Sequence, residues 1–560
     1  MIAFGLLHIL VSTLAGYAFA AAGGGLSGGS AALSLAIGAV AAAVLRRQVN
    51  WRSGPPPATA SSTGVSRVIE AALLIFLGLA AYRHFGWMLY AANGSLRTLS
   101  LTNYGDLPLH VNYIRFFAAG APFPPMNPIY SPEPLYYPLG MDLYNALWEA
   151  VGVPTASHLF LAGMFCFIAS VGLLRAWGGW LAVGGLFLNG GIDTSLAWKN
   201  LLLTVFITQR GVLFALPAGV LMIHLMRAWL REEAVPTPAQ RRVAGLLWGA
   251  LALFHLHTFL IVSLILAGLF ALHGVRRHLR LALGMLAWAL PLGAAFTVYA
   301  TRWFSMGGVT RWRWGWMSGT EGVPMFLVTD FGWWIPAVGA AAIVLVWRKQ
   351  RKDLLEWLLA LGLFALFLNL MVAPWEWDNI KVLIWPWVLF LGVGWRALAT
   401  LRAAARRFVE PALAALLFFS GATTVARTFD DAPQAPSLVP LATYARAAGA
   451  TASVPPSAVF AAAQTPDHAL AWLGRARALG YEGHLWTHGV NSAAATADLR
   501  AIYAGSDGWR TAAGRLRVTH VFWGPQEAEA FGELSAAVRN ASRQLSAVPG
   551  YEVYELSRSR

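Results

Sequence analysis

Apolar runs, most of about 18 residues or more and so long enough to cross the hydrocarbon core of a bilayer as a helix, recur along most of this 560-residue chain. They fall at 2–21, 28–45, 66–90, 156–174, 177–190, 203–229, 243–258, 259–273, 281–301, 325–347, 354–373, 380–398 and 409–426, and most are clean of polar residues. From about residue 428 the pattern changes. Short apolar runs at 458–463, 518–523 and 551–556 alternate with helical patterns at 467–479, 493–503 and 526–545. Such alternation predicts a small α/β domain. The expected architecture is a polytopic α-helical membrane protein of about 13 transmembrane helices with a C-terminal external α/β domain. The expected domains are a transmembrane domain at 1–427, with a large first external loop at 93–155, and a C-terminal domain at 428–560. No internal repeat of fixed period is visible, which counts against an inverted-repeat transporter.

Composition sharpens this picture. The residues are 57% hydrophobic and only 12% are charged, against about 25% charged in a soluble domain. The formal charge of +15 is spread over short Arg and Lys clusters between apolar runs, so it reports topology and not a nucleic-acid partner. Clusters at Arg46, Arg47 and Arg52, at Arg227, Arg231, Arg241 and Arg242, at Arg276, Arg277 and Arg280, at Arg348, Lys349, Arg351 and Lys352, and at Arg396, Arg402, Arg406 and Arg407 all fall on the cytoplasmic side on one condition. Residues 243–273 must be two short helices turning externally near His255 to Thr258. This parity places the N-terminus in the cytoplasm and the C-terminal domain outside. The first run ends in YAFAAAG, like a signal-peptidase site, but no Lys or Arg precedes it, so it reads as a retained helix. The one cysteine, Cys166, lies inside an apolar run, which excludes an intramolecular disulfide and a cysteine metal site.

The stretch at 102–153 is too polar for lipid yet crowded with Tyr, Phe, Trp and Pro, the composition of a folded loop on a membrane surface. It carries Asp106, Glu133, Asp142 and Glu149 in a chain with only 26 acidic residues. Residues 107–119 read as an amphipathic surface helix, with Asp106 and His110 on one face at its start. Asp106 suits a general base, a divalent-cation ligand or a helix N-cap. Glu133 and Asp142 flank a Pro/Tyr-rich turn and suit a second acid that orients an acceptor or binds metal, or solvated loop carboxylates. Asp193 stands in a second external loop in the same capacity. Arg210 sits several residues inside an apolar run, Lys381 at the outer mouth of a helix with Asp378 three residues before it, and Arg302 in an external aromatic loop. Such cations suit a phosphate at the outer boundary, or internal ion pairs such as Lys381 with Asp378. His255 and His257, at the expected turn, suit a ligand contact or simple polar filling of a helix hairpin.

The stretches GDLPLHVNYIRFFAAG, YSPEPLYYPLGMDLYNAL, TQRGVLFALP, FHLHTFL and PWEWDNIK, set in this layout, resemble the glycosyltransferase C superfamily. That superfamily includes oligosaccharyltransferases, protein mannosyltransferases and lipid A aminoarabinose transferases. The resemblance implies an integral membrane glycosyltransferase of a bacterial inner membrane, using a sugar on a polyprenyl phosphate or diphosphate. Its tail would lie in a groove between helices. Asp106, the matched acid, would deprotonate or position an acceptor hydroxyl on a glycan, lipid or protein, with inversion at the anomeric carbon. Arg210, Lys381 and Arg302 would hold the donor phosphate. His110, Glu133, Asp142, Asp193, His255, His257 and Asp378 would serve the acceptor or support these groups. The chain has no DxD pair in the loop, so the metal requirement, if any, of Mg or Mn is left open. A polysaccharide polymerase or ligase would use similar external loops. A lipid-linked glycan transporter would call for polar residues through the membrane, which the clean apolar runs lack, and a scaffold gains nothing from embedded Arg210 and Lys381.

Overall fold

The structure, a computed structural model, describes residues 1–48, 64–191, 200–303, 310–430 and 435–557. The first apolar runs form α1 (Ile2–Gly23), α2 (Gly28–Gln48) and α3 (Gly64–Gly86). A hairpin of β1 (Tyr90–Ala92) and β2 (Ser95–Arg97) follows, then α4 (Asn103–Ala118), α5 (Gly140–Ala150) and α6 (Thr155–Phe187). Next come α7 (Arg210–Leu230), α8 (Pro238–Phe254), α9 (Leu256–His273), α10 (Val275–Ala300), β3 (Arg311–Trp312), α11 (Gly322–Phe326), α12 (Trp334–Trp347), α13 (Arg351–Asn369), β4 (Leu370–Met371), α14 (Ile380–Ala399) and α15 (Ala403–Arg427). The expected linker beyond α2 lies outside the described residues.

Each apolar run lies on a helix, but the runs and helices do not correspond one to one. The runs at 156–174 and 177–190 are the single element α6, broken where Gly178 and Gly179 leave helical geometry. The run at 325–347 is bent by 89° between a π-helical turn after α11 and the start of α12. Among the described residues nine helices are long and apolar enough to cross a membrane, or ten if the bent pair is one span. This is a multi-pass membrane protein.

The break at His255 is sharp, with its backbone extended at φ −159° and ψ 101°. Its ring Nδ1 accepts from the Thr258 backbone N–H at 3.3 Å and so caps α9. A Cβ at Gly245 would fall 2.4 Å from the carbonyl oxygen of Met285, and one at Gly249 2.3 Å from that of Ala289. The register advances in the same direction along both helices, so α8 and α10 run parallel and α9 returns between them. Thr237 and Gln240 form a capping box at the start of α8, satisfying two otherwise orphaned backbone donors.

The chain divides into two compact units. The first joins Met1–Leu10, Val40–Gly86 and Leu161–Pro433. Here Arg231 meets Glu356 at 2.6 Å and Asp353 at 2.8 Å, while Arg396 meets Asp353 at 2.6 Å and Glu356 at 2.5 Å. The Arg227 Nε lies 3.4 Å from Glu356. Three arginines that read from the sequence as topology signals therefore also bind α13 to α7 and α14, matching carboxylates that would be costly to bury alone. An apolar cavity of about 780 Å³ opens among α6, α12, α14 and α15, lined by Leu181, Trp334, Trp387, Phe390, Leu391 and Leu417.

The second unit joins Val11–Ala39, Trp87–Phe160 and Gln434–Arg560. Its last segment holds β5 (Ser437–Pro440), α16 (Leu441–Thr451), β6 (Val459–Ala461), α17 (Ala469–Trp472), β7 (Ala476–Arg477), α18 (Glu482–Thr487), α19 (Ala493–Ala504), α20 (Trp509–Arg515), β8 (His520–Trp523), α21 (Pro525–Phe531), α22 (Ala536–Asn540), β9 (Ser542–Val548) and β10 (Tyr551–Leu556). The C-terminal region is thus α/β. A five-stranded sheet has the order β7-β6-β8-β10-β9, with β7, β6 and β8 parallel and β10 antiparallel to both neighbours. Strand β5 pairs with β2, so the segment after α15 is hydrogen-bonded to the hairpin that precedes α4.

Candidate active site

The acid-bearing helix begins earlier than expected. Helix α4 starts at Asn103 with Thr102 in the N-cap position, and Asp106 falls in its first turn. Asp106 is therefore not the N-cap, and a carboxylate there also complements the positive end of the helix dipole. It is half-buried.

Helix α4 is not an amphipathic helix lying on a surface. Leu107 through Ile114 are all buried, because α5 covers one side and α17 another. Its polar residues find partners inside. The Asn112 amide donates to the carbonyls of Ala471 at 3.1 Å and Arg475 at 3.2 Å. His110, one turn after Asp106, donates from Nδ1 to the Asp142 carboxylate at 2.9 Å, with side chains only 4% and 2% exposed. The His110 ring also lies 6.3 Å from that of Tyr137, which stacks on His488 at 5.0 Å.

Arg115 is the hub of the unit. Its guanidinium donates to Tyr444 at 2.9 Å, Thr155 at 2.8 Å, Glu149 at 3.2 Å and the Trp472 carbonyl. Glu149 in turn accepts from His158 Nε2 at 2.7 Å, and Asn145 faces His158 Nδ1 at 3.0 Å. One cation thus fastens α4 to α5, α6, α16 and the end of α17. The backbone cooperates: Gly474 sits at φ +67°, and a Cβ there would lie 2.5 Å from that of Arg115.

The start of α4 lies at the carboxyl edge of the parallel strands, the place where open α/β sheets receive ligands. His484, on the helix that follows β7, donates from Nε2 to the Gly105 carbonyl at 2.8 Å. The Tyr104 phenol is raised above its ordinary value by burial and then by neighbouring Asp467 and Tyr481. The edge loops are themselves pinned. Glu527, after β8, accepts from the Ala463 N–H at 2.8 Å and from His468 at 2.7 Å. Arg477, at the end of β7, donates to the Thr465 carbonyl at 3.0 Å.

Burial pushes the His484 imidazole from 6.5 down to about 4, with the charges of Arg477 and His110 adding to the effect and the Gly105 contact opposing it. The neutral ring is the one that fits. Its stabilisation is complete above pH 6.5 and is lost as pH falls toward 4, at about 1.4 kcal/mol per pH unit inside that window. Thermal melts between pH 7.5 and 5 are expected to fall more steeply for the wild type than for His484→Gln. Equal slopes would count against this assignment.

The remaining candidates are distributed as follows. Glu133 is half-buried in the turn between α4 and α5, and its backbone N–H donates to the Tyr130 carbonyl at 3.2 Å. Arg210, Lys381, Asp378, Arg302, His255 and His257 belong to the first unit. Arg210 is 2% exposed and is the first residue of α7, after the extended Gln209 breaks the run at 203–229. It donates to the Ile207 carbonyl at 3.2 Å. Lys381 pairs with Asp378 at 2.6 Å. The rings of His255 and His257 are 5.5 Å apart, and Lys381 interacts electrostatically with both. Arg302 follows α10 at φ +51° and is half-buried. Asp193 lies outside the described residues. Among the described residues no group of three His, Cys, Asp or Glu side chains is gathered as a metal site.

Sequence reasoning passed over Arg115, His484 and the Glu149–His158 pair. A signal was present: Asp142, Asn145 and Glu149 recur at helical spacing on one face of α5, and that face carries the partners of His110 and His158.

No family model and no curated protein matches the sequence. In overall form the chain is similar to ArnT from Cupriavidus metallidurans bound to undecaprenyl phosphate, at 13% identity and a TM-score of 0.48, over 87% of this chain and 98% of that one. It is also similar to the Archaeoglobus fulgidus oligosaccharyltransferase tethered with an acceptor peptide, at 12% identity and a TM-score of 0.42, over 87% and 74% of the chains. A third similar structure is the arabinofuranosyltransferase AftD from Mycobacteria, at 15% identity and a TM-score of 0.43, over 88% and 40%. At these scores no residue of this chain takes a role from the likeness.

Proposed function

We propose that this protein is an integral membrane glycosyltransferase that transfers a sugar from a polyprenyl phosphate or diphosphate to an acceptor hydroxyl at the outer face of a bacterial inner membrane. The observation that carries this reading is the station of Asp106. It is a half-buried acid outside the N-cap position, in the first turn of a helix that His484 fixes at the carboxyl edge of the parallel strands of the sheet. In this scheme Asp106 takes the acceptor proton as the hydroxyl oxygen bonds to the anomeric carbon and the carbon–phosphate oxygen bond breaks, with inversion. Arg210, Lys381 and Arg302 neutralise the charge that collects on the departing phosphate. His110 and Asp142 hold the helix behind the acid, and the acceptor enters along the sheet edge. The apolar cavity of the first unit suits a prenyl tail. The N-terminus would be cytoplasmic and the C-terminal domain, residues 428–560, external.

The test is turnover by purified protein in nanodiscs with a panel of polyprenyl-phosphate sugars, with and without EDTA. Release of the prenyl phosphate together with transferred or hydrolysed sugar is expected, and the EDTA arm reports any need for a divalent cation. Movement of a lipid-linked glycan across the bilayer without bond cleavage would overturn the reading in favour of a transporter.

A further inference from the structure

The first unit holds a charged cavity that the proposed reaction does not use. It measures about 510 Å³ and is lined by Arg231, Glu232, His273, Arg277 and Lys352, with Leu230, Leu272 and Leu355 along its apolar wall. Two long helices begin beside it: α10 at Val275 and α13 at Arg351. Neither N-cap, Gly274 or Gln350, closes its helix with a side-chain hydrogen bond. First-turn backbone N–H groups at such ends favour an anion.

A second observation is independent of the helix ends. The His273 side chain is only 7% exposed, and its Nε2 has no hydrogen-bond partner. Its Nε2 makes only a long ion-pair contact with the Glu356 carboxylate, at 3.8 Å, and that carboxylate already receives Arg231 and Arg396. A buried ring nitrogen left without a short hydrogen bond is costly unless something else supplies one. The charge balance points the same way. Arg227, Arg231 and Arg396 are matched by Asp353, Glu356 and Glu233, and Arg277 by Glu232. Lys352, on the cavity lining, is exposed, as are Arg276, Lys349 and Arg351 in the adjoining chain segments.

We propose that this cavity binds a phosphate-bearing anion, with Lys352 and Arg277 at its mouth and His273 donating from within. A phospholipid headgroup and free phosphate share this chemistry. The leucines of the wall would lie against an acyl chain in the first case and leave the second unaffected. A bound phosphate would bridge α9, α10 and α13, whose ends meet here, and basic pockets between membrane helices are suited to anionic headgroups.

The experiment uses the full chain. Native mass spectrometry and thermal melts compare protein in phosphatidylcholine nanodiscs, in nanodiscs containing phosphatidylglycerol, and in detergent with inorganic phosphate. Retention of one phosphatidylglycerol with a raised Tm identifies the lipid, and a shift with phosphate in detergent identifies the free anion. Either is expected to weaken about tenfold or more in Lys352→Gln/Arg277→Gln and in His273→Phe, but not in Arg402→Gln, an exposed basic residue that does not line the cavity. Lys352→Gln alone, at an exposed position, guards against misfolding and is expected to show a smaller loss in the same direction. The proposal is overturned if neither probe is retained, if the cavity variants bind as the wild type does, or if Arg402→Gln weakens binding equally.

Discussion

Asp106→Asn is expected to lower sugar transfer by about 10²–10⁴-fold, the range for removal of a general base, while donor binding and the melting temperature are retained. Thr102 occupies the N-cap of α4, asparagine keeps the shape of the side chain, and the charge at the helix start contributes only about 0.3–1 kcal/mol. A large loss of turnover with an intact melt therefore separates chemistry from architecture. Single-turnover kinetics on loaded donor reads the first and calorimetry the second. Wild-type turnover in the variant would reduce Asp106 to a charge complementing the helix dipole.

The second large effect is on stability. Arg115→Met is expected to cost about 3 kcal/mol or more, because charge-assisted hydrogen bonds contribute about 1.5–3 kcal/mol each and the groups left behind lose their partner. Tyr444, Thr155, Glu149 and the Trp472 carbonyl would all lose the same donor. Arg115→Lys should recover only part of the loss, since an ammonium cannot present the planar fork that reaches partners in several directions. Limited proteolysis that cleaves between α16 and α18 in the variant and spares the wild type would check it. An unchanged melt and cleavage pattern would mean that Arg115 is not the tie described.

Legibility in the sequence followed the length of each pattern. The membrane helices were readable because a span needs an apolar run that few other structures require. The reversal at His255 was readable only through the parity of the basic clusters. In the C-terminal region β6, β8 and β10 matched apolar runs, and β10 spans the same residues as the run at 551–556. The pattern at 467–479 failed as a helix because Gly474 turns the chain against Arg115, leaving the four-residue α17 and the two-residue β7. The pattern at 526–545 broke at Gly532, φ +75°, and its tail became β9, whose polar residues SRQ conceal a strand. The candidate residues were named individually, but their pairing was not visible. His110 and Asp142 are 32 residues apart in the chain, and no local period relates them. The amphipathic look of α4 was real, yet its polar face meets carboxylate and carbonyl groups in place of water.

The second unit is assembled from pieces that the ribosome makes far apart in time. Residues 87–160 are synthesised before Leu161–Pro433, and only then does the partner segment Gln434–Arg560 emerge. At about 5–20 residues per second, the nascent loop waits on the order of tens of seconds for β5 to join β2 and for α17 to cover α4. Through that interval Tyr113, Phe116 and Phe117, all buried in the finished protein, have no C-terminal cover. Biogenesis thus has a vulnerable window whose length is set by the number of membrane helices threaded between the two halves of one folded body.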